Sequence, residues 1–567
     1  MIQAEAFEAL ASSSNGIAKL RQLILELAVR GLLVPQDPND EPASILLERI
    51  AAEKQRLIKD SKIKKQQSLQ PITDEEKLFN IPTNWEFIRI CELGVISGGM
   101  TPSKSRSDFW EGSINWFSPK DIKSDELIES ELKISKAALS DTGLQLYPPG
   151  CLFIVARSGI LKRTLPVAIN RVDATANQDL KVISPFVKGM EKYIQLMLKG
   201  LTSFILTTLV KTGTTVQSLK YEEFELQAVP LPPISEQQRI IKKIDELMAL
   251  CDQLDQHQNH GNTVHQQLLQ TLFESLTQAV DNEAFQKIWS QIAAHFDTLF
   301  TTEASIDQLK QVILQLAVMG KLVPQDPNDE PASVLLEKIN VEKQRLIKEG
   351  KIKKQKPLLE INDEEKPFDI PFDWKFVRIS NLGVISGGMT PSKNRSDFWK
   401  GSINWFSPKD IKSVELFDSE LKISASALDD TGLQLYPPGC LFIVARSGIL
   451  KRTLPVSINR VPATANQDLK VILPFKKGME RYIQLMLHGM TNFILANLVK
   501  TGTTVQSLKY EEFELQAVPL PSLTEQHRII AKVDELMAIC DLLKSRINKS
   551  QQTQEHLATA IVEKTAA

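Results

Sequence analysis

Cysteine is scarce and scattered in this chain. Its five thiols (Cys91, Cys151, Cys251, Cys440, Cys540) lie far apart among 567 residues, with no CxxC spacing, so neither a disulfide framework nor a zinc site is indicated. Long apolar runs are missing too, none approaching the roughly 18 residues of a membrane span. The first residues, MIQAEAFEAL, lack the basic flank of a signal peptide, and the chain is expected in the cytoplasm. Catalytic signatures are absent as well. There is no GxxxxGK phosphate loop, GxGxxG, HExxH, GxSxG or Asn-Pro-Pro-aromatic tetrapeptide, which removes the commonest nucleotide-, zinc- and serine-dependent chemistries. No cofactor and no metal is expected. Neither sign of charge dominates: 67 Lys+Arg against 69 Asp+Glu leave −2, so a surface that attracts a polyanion must gather its cations locally.

What the chain does have is two copies of itself. Residues 142–167 (TGLQLYPPGCLFIVARSGILKRTLPV) recur letter for letter at 431–456. The same shift carries 94–104 (GVISGGMTPSK) onto 383–393 and 209–232 onto 498–521. A period this long is no solenoid repeat, and each copy is large enough for its own core. With 42% hydrophobic and 24% charged residues, the composition is that of an ordinary globular protein of at least two domains. Two near-equal modules suit a ligand with two equivalent halves.

Each copy reads as three parts. The first is helical: Ile17, Leu20, Ile24, Leu27 and Ala28 fall on one helical face that ends at Gly31 and Pro35, and Asp40-Glu41-Pro42 opens a second helix. That second helix ends in lysines (Lys59, Lys62, Lys64, Lys65; Lys348, Lys351, Lys353, Lys354), fitting either a solvated end that complements the helix dipole or phosphate contact. The middle part, roughly 84–230 and 373–519, alternates short β-branched and aromatic runs with Gly/Pro/Ser/Thr turns. It reads as a compact α/β or mostly β domain crossed by one helix over 191–209. The third part is a helix with steps of 4 and 3: Ile240, Ile244, Leu247, Cys251 and Leu254, and again Ile529, Val533, Leu536, Cys540 and Leu543. That spacing is an a/d seam for pairing with another helix, and a capping box at Ser235 to Gln238 is expected to start it.

The remaining candidates for chemistry are weak. Glu75-Glu76-Lys77 and Glu364-Glu365-Lys366 match the end of a nuclease signature, but no neighbouring strand offers a metal-binding carboxylate. His257, His260 and His265 cluster in one copy only, and Gly261 is expected to break their helix. The middle domains instead place basic, amide and hydroxyl side chains in turns, three of them glycine-bearing, at 97–106, 117–123, 156–163, 174–181 and 210–220. Lys104, Arg106, Lys120, Lys123, Arg157, Lys162, Arg163 and Lys211 are candidate phosphate or guanine contacts. Asn177, Gln178, Thr214, Thr215 and Gln217 are candidate readers of base edges. The second copy repeats the cations as Lys393, Arg395, Lys409, Lys412, Arg446, Lys451, Arg452 and Lys500, and the readers as Asn466, Gln467, Thr503, Thr504 and Gln506.

The segments LAVRGLLVPQDPNDEPAS and EKQRLIK, GGMTPS and WFSPKDI, NQDLK, and LPPISEQQRIIKKIDELMALCD, in this order and twice, closely resemble the specificity subunit of type I restriction–modification enzymes. The resemblance covers essentially the whole chain. It implies an α+β fold: two globular α/β target-recognition domains separated by a pair of long antiparallel coiled-coil helices, with an internal pseudo-twofold. The division it suggests is a helical region over 1–83, recognition domains over 84–230 and 373–519, a central helical region over 231–372 and a last helix over 520–567. It also implies double-stranded DNA as ligand, two methyltransferase subunits as partners, motor–nuclease subunits in the full assembly, and no catalysis by this subunit.

In the family as a whole the two recognition domains often differ, whereas here they are nearly the same. Equal domains related by a twofold would read one short sequence on opposite strands. A seam helix over 235–256 would span about 33 Å, near the ~34 Å of one DNA turn, so half-sites are expected about one turn apart. Two other readings stay open: a restriction enzyme with its own active site, and a coiled-coil scaffold that does not bind DNA.

Overall fold

The computed structural model of the chain describes residues 15–64, 69–211, 213, 216–279, 282–352, 358, 360–502 and 505–566. It divides into two units. The first comprises Met1–Gly261 with Gln551–Ala567, and the second Asn262–Ser550.

In the first unit the chain opens with helix Gly16–Val29, whose Ile17, Leu20, Leu23, Ile24 and Ala28 are buried. The helix stops where glycine permits a left-handed turn. Gly31 has φ +73°, and a Cβ there would stand 2.5 Å from Pro82. The amides of Gly31 and Leu32 turn back to the carbonyls of Ala28 and Leu27 at 3.2 and 2.9 Å, closing the orphan acceptors of the last turn. Helix Ala43–Lys59 follows, with Pro42 just outside it as N-cap. Proline suits that place because it has no amide to leave unpaired.

The middle domain is built on a five-stranded sheet ordered Gly94–Gly98, Leu180–Pro185, Leu152–Val155, Val167–Asn170, Glu126–Leu127, antiparallel except at the last pair. Leu152–Val155 is buried along its whole length, which is why it reads as an unbroken apolar run in place of an alternating one. Phe153 meets both Phe117 and Tyr147 edge-on, at ring separations of 5.6 and 5.7 Å. Two three-stranded sheets complete the domain: Leu132–Ile134, Ile114–Phe117, Ala174–Ala176, and Val210–Lys211, Gln217–Leu219, Arg157–Ser158. The strands at the domain's two ends, Glu86–Arg89 and Ala228–Leu231, pair with each other, so the chain enters and leaves side by side. The single helix expected over 191–209 is two, Glu191–Gly200 and Thr202–Thr208. Gly200 lies against the opening helix, where a Cβ would come within 2.6 Å of Val29.

The second unit repeats this architecture strand for strand, with the five-stranded order Gly383–Gly387, Leu469–Pro474, Leu441–Val444, Val456–Asn459, Glu415–Leu416.

A 44-residue helix follows each middle domain, Ile234–Thr277 and Leu523–Ala566. Four expectations change here. The first helix runs through Gly261 without a break, since one glycine costs only about 1 kcal/mol in a helix of this length. Its length is about 66 Å at 1.5 Å per residue, twice the span used to set the half-sites one turn apart, so that spacing loses its basis. The capping box is not formed. The helix begins before Ser235, whose hydroxyl bonds the Asp40 carboxylate at 2.6 Å. In the second copy Ser522, aligned with Pro233, caps the helix by accepting the Glu525 amide at 3.1 Å. The seam, finally, is spent inside its own unit. Ile240, Ile244 and Cys251 join the core that contains Ile17, Leu20 and Ile24, with Leu247 and Leu254 half-buried against it, and Arg21 of the opening helix bridges Asp252 and Asp255 at 2.7 and 2.6 Å. Ile529, Val533 and Cys540, flanked by Leu536 and Leu543, do the same in the second unit.

Candidate nucleic-acid interface

The five turns, scattered over more than a hundred residues of sequence, meet at the segment 176–180. The amide of Met100 bonds Ala176 O at 2.8 Å, that of Asn177 bonds Phe117 O at 2.9 Å, and those of Ala156 and Arg157 both reach Asp179 O, at 2.8 and 3.1 Å. Leu219 N then bonds Ala156 O at 2.8 Å, and Gln217 pairs with Ser158. Gly99 is required by this closeness: a Cβ there would sit 2.1 Å from Asn177 O. The second copy holds Met389, Asn466, Ala445, Arg446 and Leu508 in the same way.

Charge separates the cations into two kinds. Lys104, Lys120, Lys123, Arg157, Lys162, Arg163 and Lys211 are exposed, and so are Lys393, Lys409, Lys412, Arg446, Lys451, Arg452 and Lys500. Among the described residues none of them has an ion-pair partner. Arg106 is different. It forks onto Asp108 at 2.7 and 2.6 Å, reaches Asp141 at 3.4 Å and lies 4.1 Å over the Phe109 ring. The pairing holds the Asp108 carboxyl below its usual range. Arg395 repeats the arrangement with Asp397, Asp430 and Phe398. Arg106 and Arg395 are therefore already neutralised, unlike the free cations beside them.

The amides also divide. Gln178 and Gln467 are exposed, each accepting a hydrogen bond on Oε1 from Thr101 or Thr390, a pair of hydroxyls that the sequence alone did not single out. Asn177 and Asn466 are buried, their Oδ1 atoms accepting the amides of Asp179 and Asp468 at 2.9 Å. Gln217 and Gln506 are buried too, donating from Nε2 to Gly213 O and Gly502 O at 3.0 and 3.2 Å. These four side chains bond within their own turns and are not exposed as Gln178 and Gln467 are, and Oε1 of Gln217 and of Gln506 is buried without a hydrogen-bond partner among the described residues. Thr214, Thr215, Thr503 and Thr504 lie outside the described residues.

The weaker candidates dissolve into structure. Glu76 receives the Arg89 guanidinium at 2.9 Å, which pulls its carboxyl down to about 2, while Lys77 pairs with Asp74 at 2.6 Å. His265 donates to Leu299 O at 2.7 Å, and His257 and His260 are exposed. Among the described residues no group of three or more His, Cys, Asp or Glu could hold a metal, and no helix is long and apolar enough to cross a membrane. In the lysine runs, Lys62 and Lys351 sit beside Asp60 and Glu349; Lys65, Lys353 and Lys354 lie outside the described residues.

Among the described residues the interface so built offers cations for phosphates and an exposed glutamine amide in each domain, joined in the second by the exposed Asn394. Comparison with known proteins agrees. The family model described as the type I restriction modification DNA specificity domain matches residues 82–261 and 371–551. The specificity subunits of the type I restriction enzymes EcoAI and EcoEI, both from Escherichia coli, are 37% and 36% identical, over 97% of this chain and 93% of each of theirs. The chain belongs to the specificity subunits of type I restriction–modification enzymes, the subunits that choose the DNA target and carry no catalysis of their own.

Proposed function

We propose that each middle domain binds one half of a bipartite site in duplex DNA, and that the two halves are one short sequence and its reverse complement around a non-specific spacer. One observation carries the reading: the same unpaired cations and the same exposed amide stand on the same five converging turns in both units. Lysines and arginines left without protein partners are free to take phosphates, which position a protein on DNA, while an amide can discriminate base edges. The reverse-complement form is supported by the near-identity of the two copies together with the antiparallel helix pair that the family resemblance implies. Two methyltransferase subunits dock on the helical regions, and motor–nuclease subunits join the full assembly. The base modified in each half is adenine, and the two adenines lie on opposite strands.

Mapping modified bases in a genome that carries this system tests the proposal. The expected motif is a bipartite inverted repeat with one modified adenine per half. Two unrelated half-sites, or a direct repeat, would overturn it.

A further inference from the structure

We propose that Met100, and Met389 in the second repeat, determine specificity by meeting the 5-methyl group of a thymine, so that each half-site contains a T·A pair read beside Gln178 or Gln467. The inference rests on the duplex-binding reading above.

Both methionines are 43% exposed. Single exposed apolar side chains are common on soluble proteins; what sets this one apart is how firmly it is held and what stands next to it. The backbone of Met100 is tied at both ends, its amide to Ala176 O at 2.8 Å and its carbonyl to the indole N–H of Trp116 at 2.9 Å. Trp405 does the same for Met389 at 3.0 Å. The next residue, Thr101, donates its hydroxyl to Oε1 of Gln178. Beneath the thioether the chain carries Gly143, where even a Cβ would lie 3.6 Å from the Met100 methyl. A rigid turn thus presents an apolar chain and an amide side by side, twice.

The chemistry of that juxtaposition selects among bases. With Oε1 engaged by Thr101, Gln178 offers its amide N–H groups outward, and these need an acceptor. Adenine's bidentate pattern would take the second lone pair of Oε1 as well as Nε2, but adenine brings no methyl group for the thioether to meet. Guanine offers acceptors but no methyl group. Thymine alone combines an acceptor, O4, with an adjacent methyl group in the major groove. A thioether on an unbranched chain is well suited to cover that methyl group, since it adapts to the shape it meets. Lys104, three residues beyond Thr101, is free to hold the neighbouring backbone.

The test uses the full chain purified with its methyltransferase subunits and two randomised duplex libraries, one made with thymine and one with uracil, which lacks only the methyl group. Sequencing of the bound fraction reads the preference at each position. The wild type is expected to select the same site from both, with the preference at one position per half about fourfold weaker in the uracil library, the worth of one buried methyl group. Met100→Ala with Met389→Ala should remove that difference, and Met100→Leu with Met389→Leu should restore most of it, all with unchanged melting temperatures. Equal preference from both libraries by the wild type, or a thymine–uracil difference that survives in the alanine variant, overturns the proposal. No enrichment by the wild type from either library would overturn duplex binding itself.

Discussion

The Glu236 carboxylate, at the start of the first long helix, accepts the indole N–H of Trp85 at 2.9 Å; Glu525 and Trp374 repeat the bond at 2.8 Å. Both partners are buried. Gln36 donates to the same carboxylate at 2.6 Å, and Asp40, further along the same loop, receives Arg239 and Ser235. One buried acid therefore fastens the loop after the opening helix, the entrance of the middle domain and the long helix to one another. Trp85→Phe would leave that carboxylate short of a donor, and a loss of about 1–3 kcal/mol is expected in denaturant unfolding. Trp289→Phe, at an exposed indole, is the control and should cost under about 0.5 kcal/mol.

The two kinds of cation predict different salt dependences. Lys162→Ala with Arg163→Ala, or Lys451→Ala with Arg452→Ala, should flatten the fall of log K with log salt by roughly one per lost phosphate contact. Arg106→Ala, whose charge already belongs to Asp108 and Asp141, should leave the slope nearly unchanged. An identical change of slope in all three variants would remove the distinction between free and paired cations.

The amides separate in the same manner. Gln178→Ala should weaken discrimination at one base pair of one half-site by about 1–3 kcal/mol and leave the other half untouched. Gln217→Ala and Asn177→Ala should lower the melting temperature with base preference intact, because both side chains bond only their own turns. Selection from a randomised library, run beside thermal melts, resolves the two effects.

That division marks where sequence reasoning ran out. The opening helix, the buried strand Leu152–Val155 and the two copies were legible because apolar spacing and repetition are carried by the letters themselves. An amide in a Gly/Thr-rich turn is not so legible. Asn177 and Gln178 are adjacent and chemically alike, yet one side chain turns in to cap Asp179 and the other turns out, a choice made by strands that pair across distant segments. Spacing marks Ile240, Ile244 and Cys251 as an apolar edge, but it cannot name what that edge packs against, which is the core of its own repeat. The capping box failed for a similar reason: Ser235 is drawn to Asp40, far away in sequence.

Acid should weaken the second unit through His488. Burial, with Arg481 nearby, pushes this imidazole down to about 4, against the hydrogen bond it donates to the backbone of Val456, which opposes the shift. The unfolded chain takes up the proton near pH 6.5, so the stability is complete above that value and is lost as the pH falls toward 4, by about 2 kcal/mol between pH 7 and pH 5. The first copy has Lys199 here, paired with Asp125. Denaturant unfolding of His488→Gln should lack this part of the pH dependence; an unchanged profile would show that the imidazole titrates freely in the folded chain.

The long helices give the last prediction, since their two faces differ. Ile240, Ile244 and Cys251 are buried, while Leu250 in the first copy and Ile539 at the equivalent place in the second remain 53% and 47% exposed. Ile244→Ala removes packed core atoms and should cost about 2–4 kcal/mol. Leu250→Asp with Ile539→Asp changes only the exposed face, where substitutions cost about 0.5 kcal/mol or less. An apolar side chain exposed at the same position of both copies is placed to meet two equal partners, and the proposed partners are the two methyltransferase subunits. The double aspartate variant should therefore melt like the wild type yet fail to hold them on size-exclusion chromatography with light scattering. Recovery of a complex with two methyltransferases per chain would move the docking surface off this face.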